Sequence, residues 1–414
     1  MNATPTRPAE AGPSPHWLLL LAGACAWAAY LSVGAKYLAY LGCALAALVA
    51  LGRQRRWQAL LHDPGFRAAA AFWGLTLASV AWSQAATSLI VAQVWLYAML
   101  LIAPVIALAC PADAARLMLR QFGMAAAVVG AATALGHVGA LPLSTSVLWH
   151  STVEAQGNQR IVNSLVLALG AAVCLLHLLQ AATPKQRLAW LLATLLALTG
   201  LALQDRRTGM VALPVLLAVL GMSRLRSAWR GLLLVLLVAA LSAAAWQFSP
   251  SVRGRIDEGL NELRTYQSTD AAATSWGMRL RLAEHTLDMV RERPLLGHGV
   301  GSWLGEWRKR VQPGLLISIH TTPHDEYLLV ASQLGLVGIA LLLWLLGGQL
   351  WRAWRAGPDG QAALLVWTAV AWTGLFNVVI RDSKFSLPLL LLAGFAGALM
   401  RAPRQPGASA SPNT

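Results

Sequence analysis

The residues in this chain whose types and spacing could do chemistry are arginines and a histidine that break the pattern around them. Arg206 and Arg207 occupy a very tight turn, Gln204-Asp205-Arg206-Arg207-Thr208, between two short apolar runs. Burying a charge at bilayer depth costs on the order of 2 to 3 kcal/mol per arginine even on lenient insertion scales. The pair therefore calls for an anionic partner or an aqueous cavity, or else for pairing with Asp205 and snorkelling to lipid headgroups. A planar guanidinium fork matches phosphate oxygens, so the functional reading is a phosphate clamp. Arg279 belongs to a segment, Met278 to Arg293, that reads as an amphipathic helix stopped by Pro294. At about 100° per residue, Leu280, Leu282, Ala283, Leu287, Met289 and Val290 form one arc, and Arg279 falls inside it. A bound anion would explain a cation there; a stem lying along the helix with its head in water is the alternative. Arg291 and Arg293 near the helix end also fit ordinary dipole complementarity. His324 opens Pro323-His324-Asp325-Glu326-Tyr327-Leu328, where a neutral imidazole could accept a proton near neutral pH or simply cap a helix. Asp325 could orient that ring or cap the helix start.

Other constellations point elsewhere or nowhere. His320 and His324 are spaced like helical metal ligands, but Pro323 between them argues against an uninterrupted helix and against zinc. Gly297-His298-Gly299-Val300-Gly301 resembles a phosphate loop only superficially, because no strand-turn-helix context precedes it. Arg381, Asp382 and Lys384 form a second tight polar turn, most simply a local salt bridge. No Ser/His/Asp arrangement, Walker loop or acidic metal-binding motif stands out, so neither a metal nor a cofactor is implied. The chemistry best supplied is charge stabilisation of an anionic, lipid-linked group.

The elements that must position these residues are membrane helices. Of 414 residues, 57% are hydrophobic and only 12% charged, which excludes an ordinary soluble domain. Cys25, Cys43, Cys110 and Cys174 lie in or beside apolar runs and read as small apolar fillers rather than a disulfide framework. The predicted fold is an all-α polytopic membrane protein with about twelve transmembrane helices, at His16 to Ser32, Tyr37 to Leu51, Ala68 to Trp82, Ser88 to Ala109, Phe122 to Ala140, Ile161 to Leu179, Leu188 to Leu203, Thr208 to Met222, Gly231 to Phe248, Glu326 to Leu350, Ala362 to Ile380 and Phe385 to Met400. The first run reads as an uncleaved span rather than a signal peptide. Residues 1–15 and 401–414 read as disordered tails, 16–248 as spans one to nine, 249–325 as one large loop domain between spans nine and ten, and 326–400 as the last three spans. The net charge of +15 reads as basic loops rather than a nucleic-acid surface. With the N-terminus inside, sixteen of the 32 Lys and Arg fall in cytoplasmic segments, six in short outer loops and ten in the long segment. Both termini are then cytoplasmic and the long loop faces outward, joined there by the basic exceptions Arg160, Arg206, Arg207 and Arg381.

Three motifs make the chain resemble the O-antigen ligase and polymerase superfamily of integral-membrane sugar transferases. Arg207-Thr208-Gly209 matches an arginine followed by small residues. Arg279, with Pro294-Leu295-Leu296-Gly297-His298-Gly299 fifteen positions on, matches an arginine-bearing helix ending in Pro-Leu-Leu-Gly-x-Gly. His324-Asp325-Glu326-Tyr327-Leu328 with Gly335-Leu336-Val337-Gly338 matches His-Asn-x-x-Leu followed by Gly-Leu-x-Gly. The chain departs from the pattern in carrying Arg206 where relatives have Ser, Asp325 for the commoner Asn, and no aromatic near Ala283. The resemblance implies an O-antigen ligase in the bacterial inner membrane that moves a glycan from undecaprenyl pyrophosphate to lipid A-core at the periplasmic face, without a metal. In it Arg207 and Arg279 would bind pyrophosphate and His324 would serve as base. Arg160, Arg206, Arg291 or Arg381 would help bind pyrophosphate or acceptor. A polymerase or a protein oligosaccharyltransferase of the same superfamily stays open, as does a transporter of anionic lipids.

Overall fold

A computed structural model describes residues 16–140, 158–204, 206–225, 229, 231, 233, 236, 240, 247, 253, 254, 257, 261, 275–311 and 316–401. Among them the chain is helical throughout: α1 (His16–Ala28), α2 (Val33–Arg53), α3 (Trp57–His62), α4 (Pro64–Ala78), α5 (Thr87–Ala98), α6 (Ile102–Ala109), α7 (Ala112–His137), α8 (Asn158–Gln180), α9 (Pro184–Leu203), α10 (Arg207–Arg224), α11 (Ser275–Glu292), α12 (Trp303–Arg310), α13 (Glu326–Arg355), α14 (Gln361–Thr373) and α15 (Ser383–Leu399). Among the described residues seven helical segments are long and apolar enough to cross a membrane: Val33–Arg53, Thr87–Ala109, Ala112–His137, Gln159–Gln180, Pro184–Leu203, Arg207–Arg224 and Glu326–Arg355. Leu19–Ala28 and Ser383–Leu399 are apolar but shorter. Two expected spans correspond to α4, of 15 residues, which passes into a 3₁₀ turn at Ser79–Trp82, and α14, of 13 residues, which ends in a turn rather than running on to Ile380. The expected ninth span, the two tails and the first part of the expected outer loop lie largely outside the described residues.

The helices come together where small residues let backbones touch. Gly130 of α7 and Gly200 of α9 stand back to back, so that a Cβ on either would meet the other helix's backbone. Close backbone approach is how helices associate where lipid supplies no hydrophobic contrast. Gly209, in the first turn of α10, lies against the carbonyl of Ser164 on α8 and donates its N–H to the Ser164 hydroxyl at 3.2 Å. That contact explains the small residue two places after Arg207. The middle of the bundle is α8, α14 and α15, buried on nearly every face, while Leu38, Leu41, Leu45, Leu191, Leu195, Trp344 and Trp351 face outward. Helix α13 sets the two ends. At its last turn Arg352 pairs with Asp63, which caps α4 and is also held by Arg401. At its first turn it meets the candidate site residues.

Helix α13 is broken one third of the way along. Gly335 has φ +66° and ψ −164°, outside any helical conformation. The polar groups freed by the break are taken up by the turn after α11: His298 and Gly299 donate to the carbonyls of Ser332 and Gln333 at 2.9 and 2.8 Å, and Leu336 and Val337 donate to those of Pro294 and Leu295 at 2.8 and 3.3 Å. Glycine is required on both sides. A Cβ on Gly335 would collide with the Leu295 carbonyl, and one on Gly297, itself at φ +63°, with the Gln333 backbone. The Gly-His-Gly-Val-Gly run is thus a docking turn, extended by Ser83 donating to the Val300 carbonyl (2.7 Å) and Val300 donating to the Ser79 hydroxyl (3.1 Å). Gly335→Ala is expected to cost roughly 1 to 3 kcal/mol for the positive φ alone and to lower the unfolding midpoint in detergent by several degrees. Gly347→Ala, in the same helix with open space around it, should leave the midpoint unchanged or slightly raised; equal midpoints for the two variants would contradict this account.

Candidate functional site

At the first turn of α13, α2, α5, the Leu316–Ile319 turn, the 374–382 turn and the start of α15 enclose a half-open cavity of about 630 Å³. Its wall includes Tyr37, Trp95, His320, His324, Asn377 and Arg381. His324 follows Pro323 and takes φ +56°, a left-handed conformation uncommon outside glycine and found at constrained sites. In that conformation its Nε2 lies 3.1 Å from Nδ1 of His320, the two rings edge to face with centroids 5.1 Å apart. Burial, then the Arg279 charge, then repulsion from His320 when both rings are protonated, lowers the His324 imidazole to about 4; burial and Arg279 also lower His320. Both rings are neutral at pH 7.

The carboxylates next to His324 work as scaffolding. Asp325 caps α13, its Oδ1 accepting from the Leu328 N–H at 2.8 Å, and burial pushes its carboxyl up to about 6 against the hydrogen bonds from Leu328 and Tyr327. Of the two roles open to Asp325 it fills that of the cap, and the ring's partner is His320 instead. Glu326, 2% exposed, accepts from the backbone N–H of Ile380 (2.7 Å) and Arg381 (3.4 Å) through Oε2, and its Oε1 receives the Tyr97 hydroxyl at 3.5 Å. This one carboxylate ties α13, α5 and the 374–382 turn into the cavity wall.

The arginines fall into two groups. Arg381 lines the cavity, and Arg279, half-buried on α11, sits close enough for its charge to act on both histidines. The buried face of α11 runs through Leu282, Thr286 and Met289, against Trp303, Trp307 and Leu329; Leu280 and Leu287 of the expected arc are exposed. Arg207 begins α10, and the next residue, Thr208, accepts a hydrogen bond from Asn377 Nδ2 at 3.5 Å, which puts the start of α10 against the cavity wall. Arg206 precedes α10 and Arg160 lies in the first turn of α8; neither lines the cavity. Arg291 is exposed and paired with Asp288 at 2.8 Å.

Glu292, His298 and Glu306 bring three potential metal-ligand atoms within 4.8 Å of one another. Arg310 already bridges both carboxylates, Lys309 adds a third ion pair to Glu306, and His298 Nε2 bonds the Met289 carbonyl at 3.0 Å. The donors are committed to protein partners, so the cluster fits a clasp between α11 and α12 better than an ion.

Sequence reasoning overlooked Asn377 and Glu326 and considered His320 only as a metal ligand, rejected because of Pro323. The overlooked signal for Glu326 was an acid at the mouth of an apolar run; for Asn377 there was none, since it breaks no local pattern. Residues 192–343 match the family model described as O-antigen ligase. No curated protein matches the chain. The matched stretch contains Arg206, Arg207, Arg279, Arg291, His320, His324, Asp325 and the break at Gly335.

The depressed His324 has a consequence for stability. An unfolded imidazole takes its proton near 6.5 and the folded one only near 4, so between these values the unfolded chain binds more protons and stability falls as pH falls. The unfolding midpoint should therefore drop more between pH 6.5 and 4 in the native protein than in His324→Gln; identical pH dependence would show that the ring is not held neutral.

Proposed function

We propose that this chain, a member of the O-antigen ligase superfamily through residues 192–343, transfers a glycan from undecaprenyl pyrophosphate to the lipid A-core oligosaccharide at the periplasmic face of the bacterial inner membrane. The observation that carries the reading is a cavity whose wall bears His324, kept neutral under the influence of Arg279, both residues lying inside the matched stretch.

In the proposed reaction the acceptor hydroxyl attacks the anomeric carbon of the donor glycan. A new glycosidic C–O bond forms, the C–O bond to the pyrophosphate breaks with its electron pair, and the hydroxyl proton passes to His324. Arg279, with Arg207 and Arg381, offsets the charge growing on the departing pyrophosphate, a role that electrostatic preorganisation fills best where water is scarce. The two halves are coupled. Arg279 suppresses the basicity of His324; a pyrophosphate seated on Arg279 offsets that charge and raises it, so the base is strongest when the donor is in place. Arg291, paired on the exposed side of α11, has no part in this scheme.

The test is transfer by purified protein supplied with undecaprenyl-pyrophosphate glycan and lipid A-core. His324→Ala and Arg279→Ala, if folded, should each lose at least about a hundredfold in kcat, and Arg291→Ala should stay within about twofold of the native rate, the value expected for a surface pair. Glycan lengthening on the carrier without transfer to lipid A-core would make the chain a polymerase instead. Native rates in both alanine variants would move the chemistry to another site.

A further inference from the structure

We infer that His320 is the positioning residue for His324: it accepts the His324 Nε2 proton at its own Nδ1 and so fixes Nδ1 of His324 as the atom that takes the proton from the acceptor. The inference rests on the reading of His324 as the base and specifies how that base is held.

The geometry allows one arrangement compatible with a base. Nε2 of His324 and Nδ1 of His320 are 3.1 Å apart, a hydrogen-bond distance, and both rings line the same cavity. In a neutral imidazole one nitrogen donates and the other accepts. Were His320 the donor, His324 would carry its own proton on Nδ1 and have no lone pair to offer. With His324 donating through Nε2, its Nδ1 lone pair is available and the ring is fixed in one tautomer. Asp325 accepts from the Leu328 N–H as the helix cap, and the group within hydrogen-bond distance of the His324 ring is His320. Proton transfer breaks the hydroxyl O–H and forms N–H at His324 Nδ1; the imidazolium so formed keeps its Nε2–H bond to His320, which spreads the positive charge over two rings. A partner that accepts from the far nitrogen of a working imidazole sets its tautomer and raises its basicity, and losing such a partner commonly costs ten- to a hundredfold.

The other charged groups around His324 are Arg279, which acts on it from α11, Arg381 and Asp382, which line the same cavity, and Asp325 and Glu326, which follow it on the chain. None of these changes when His320 is replaced, so a shift in pH dependence is attributable to the ring pair.

The experiment measures kcat, donor KM and the pH profile of kcat in the full-length protein for His320→Phe, which keeps a ring but no acceptor, and His320→Asn, whose Oδ1 stands close to the position of Nδ1. His320→Phe is expected to lose about ten- to a hundredfold in kcat with donor KM within about twofold, and its acid limb should move to lower pH because the imidazolium loses an acceptor. His320→Asn should recover most of the rate. If His320→Phe does not fold, His320→Gln, which places its amide at the Nε2 rather than the Nδ1 position, replaces it with the same expected loss. Native kcat in His320→Phe alongside an inactive His324→Ala overturns the inference while leaving the base in place, and so does a loss in His320→Phe that Asn does not recover and that leaves the acid limb unmoved. A fully active His324→Ala overturns the reading beneath it.

Discussion

The exchange of backbone hydrogen bonds between the break in α13 and the turn after α11 is the constraint on which the site depends. In a membrane every peptide group must find a partner within the protein, so a helix broken at bilayer depth is tolerated only where another segment covers the break. Here two N–H groups and two carbonyls of α13 are satisfied by residues 294–299, with glycines on both sides because neither backbone leaves room for a Cβ. Covering the break fixes the C-terminal end of α11 against α13. Helix α11 then extends back across the first turn of α13 and carries Arg279 to the histidines.

From that anchor the cavity is assembled by polar groups that serve the backbone rather than the substrate. Asp325 closes the helix start, Glu326 holds the 374–382 turn, and Ser79 and Ser83 receive the docking turn. Each satisfies N–H or C=O groups that burial would otherwise leave at a cost of about 1 to 3 kcal/mol. With scaffolding supplied by acids and hydroxyls, the cavity wall carries Arg381 and the paired rings of His320 and His324. The opposite end of α13 is held differently, by Arg352 and Arg401 on the buried Asp63.

How much of this was legible in the sequence differs from residue to residue. That Arg279 lies on the buried face of a helix followed from helical periodicity, because Leu282 and Met289 mark that face. The apolar runs gave the all-helical class, since twenty apolar residues in water have few other fates. Helix lengths were less legible: the run at 68–82 passes from α-helix into a 3₁₀ turn at Ser79, whose hydroxyl receives the Val300 N–H, and the run at 362–380 leaves the helix after Thr373, with the Ile380 N–H taken by Glu326. His320 was set aside because Pro323 forbids a helix, but the left-handed turn at His324 brings the two rings together by another route.

The sequence by itself determined the membrane character, the placement of basic residues along the chain and which residues break their local pattern, because these are properties of composition and short-range periodicity. Only the tertiary structure decided that the glycine-rich run docks a broken helix instead of cradling a phosphate, that Asp325 caps rather than orients, that Arg291 pairs at the surface, and that His320 is the partner of His324. The physical reason is common to all four. Each depends on a hydrogen bond or ion pair whose partner is fixed by three-dimensional geometry, and neither residue type nor local periodicity says which of several possible partners will be within 3 Å.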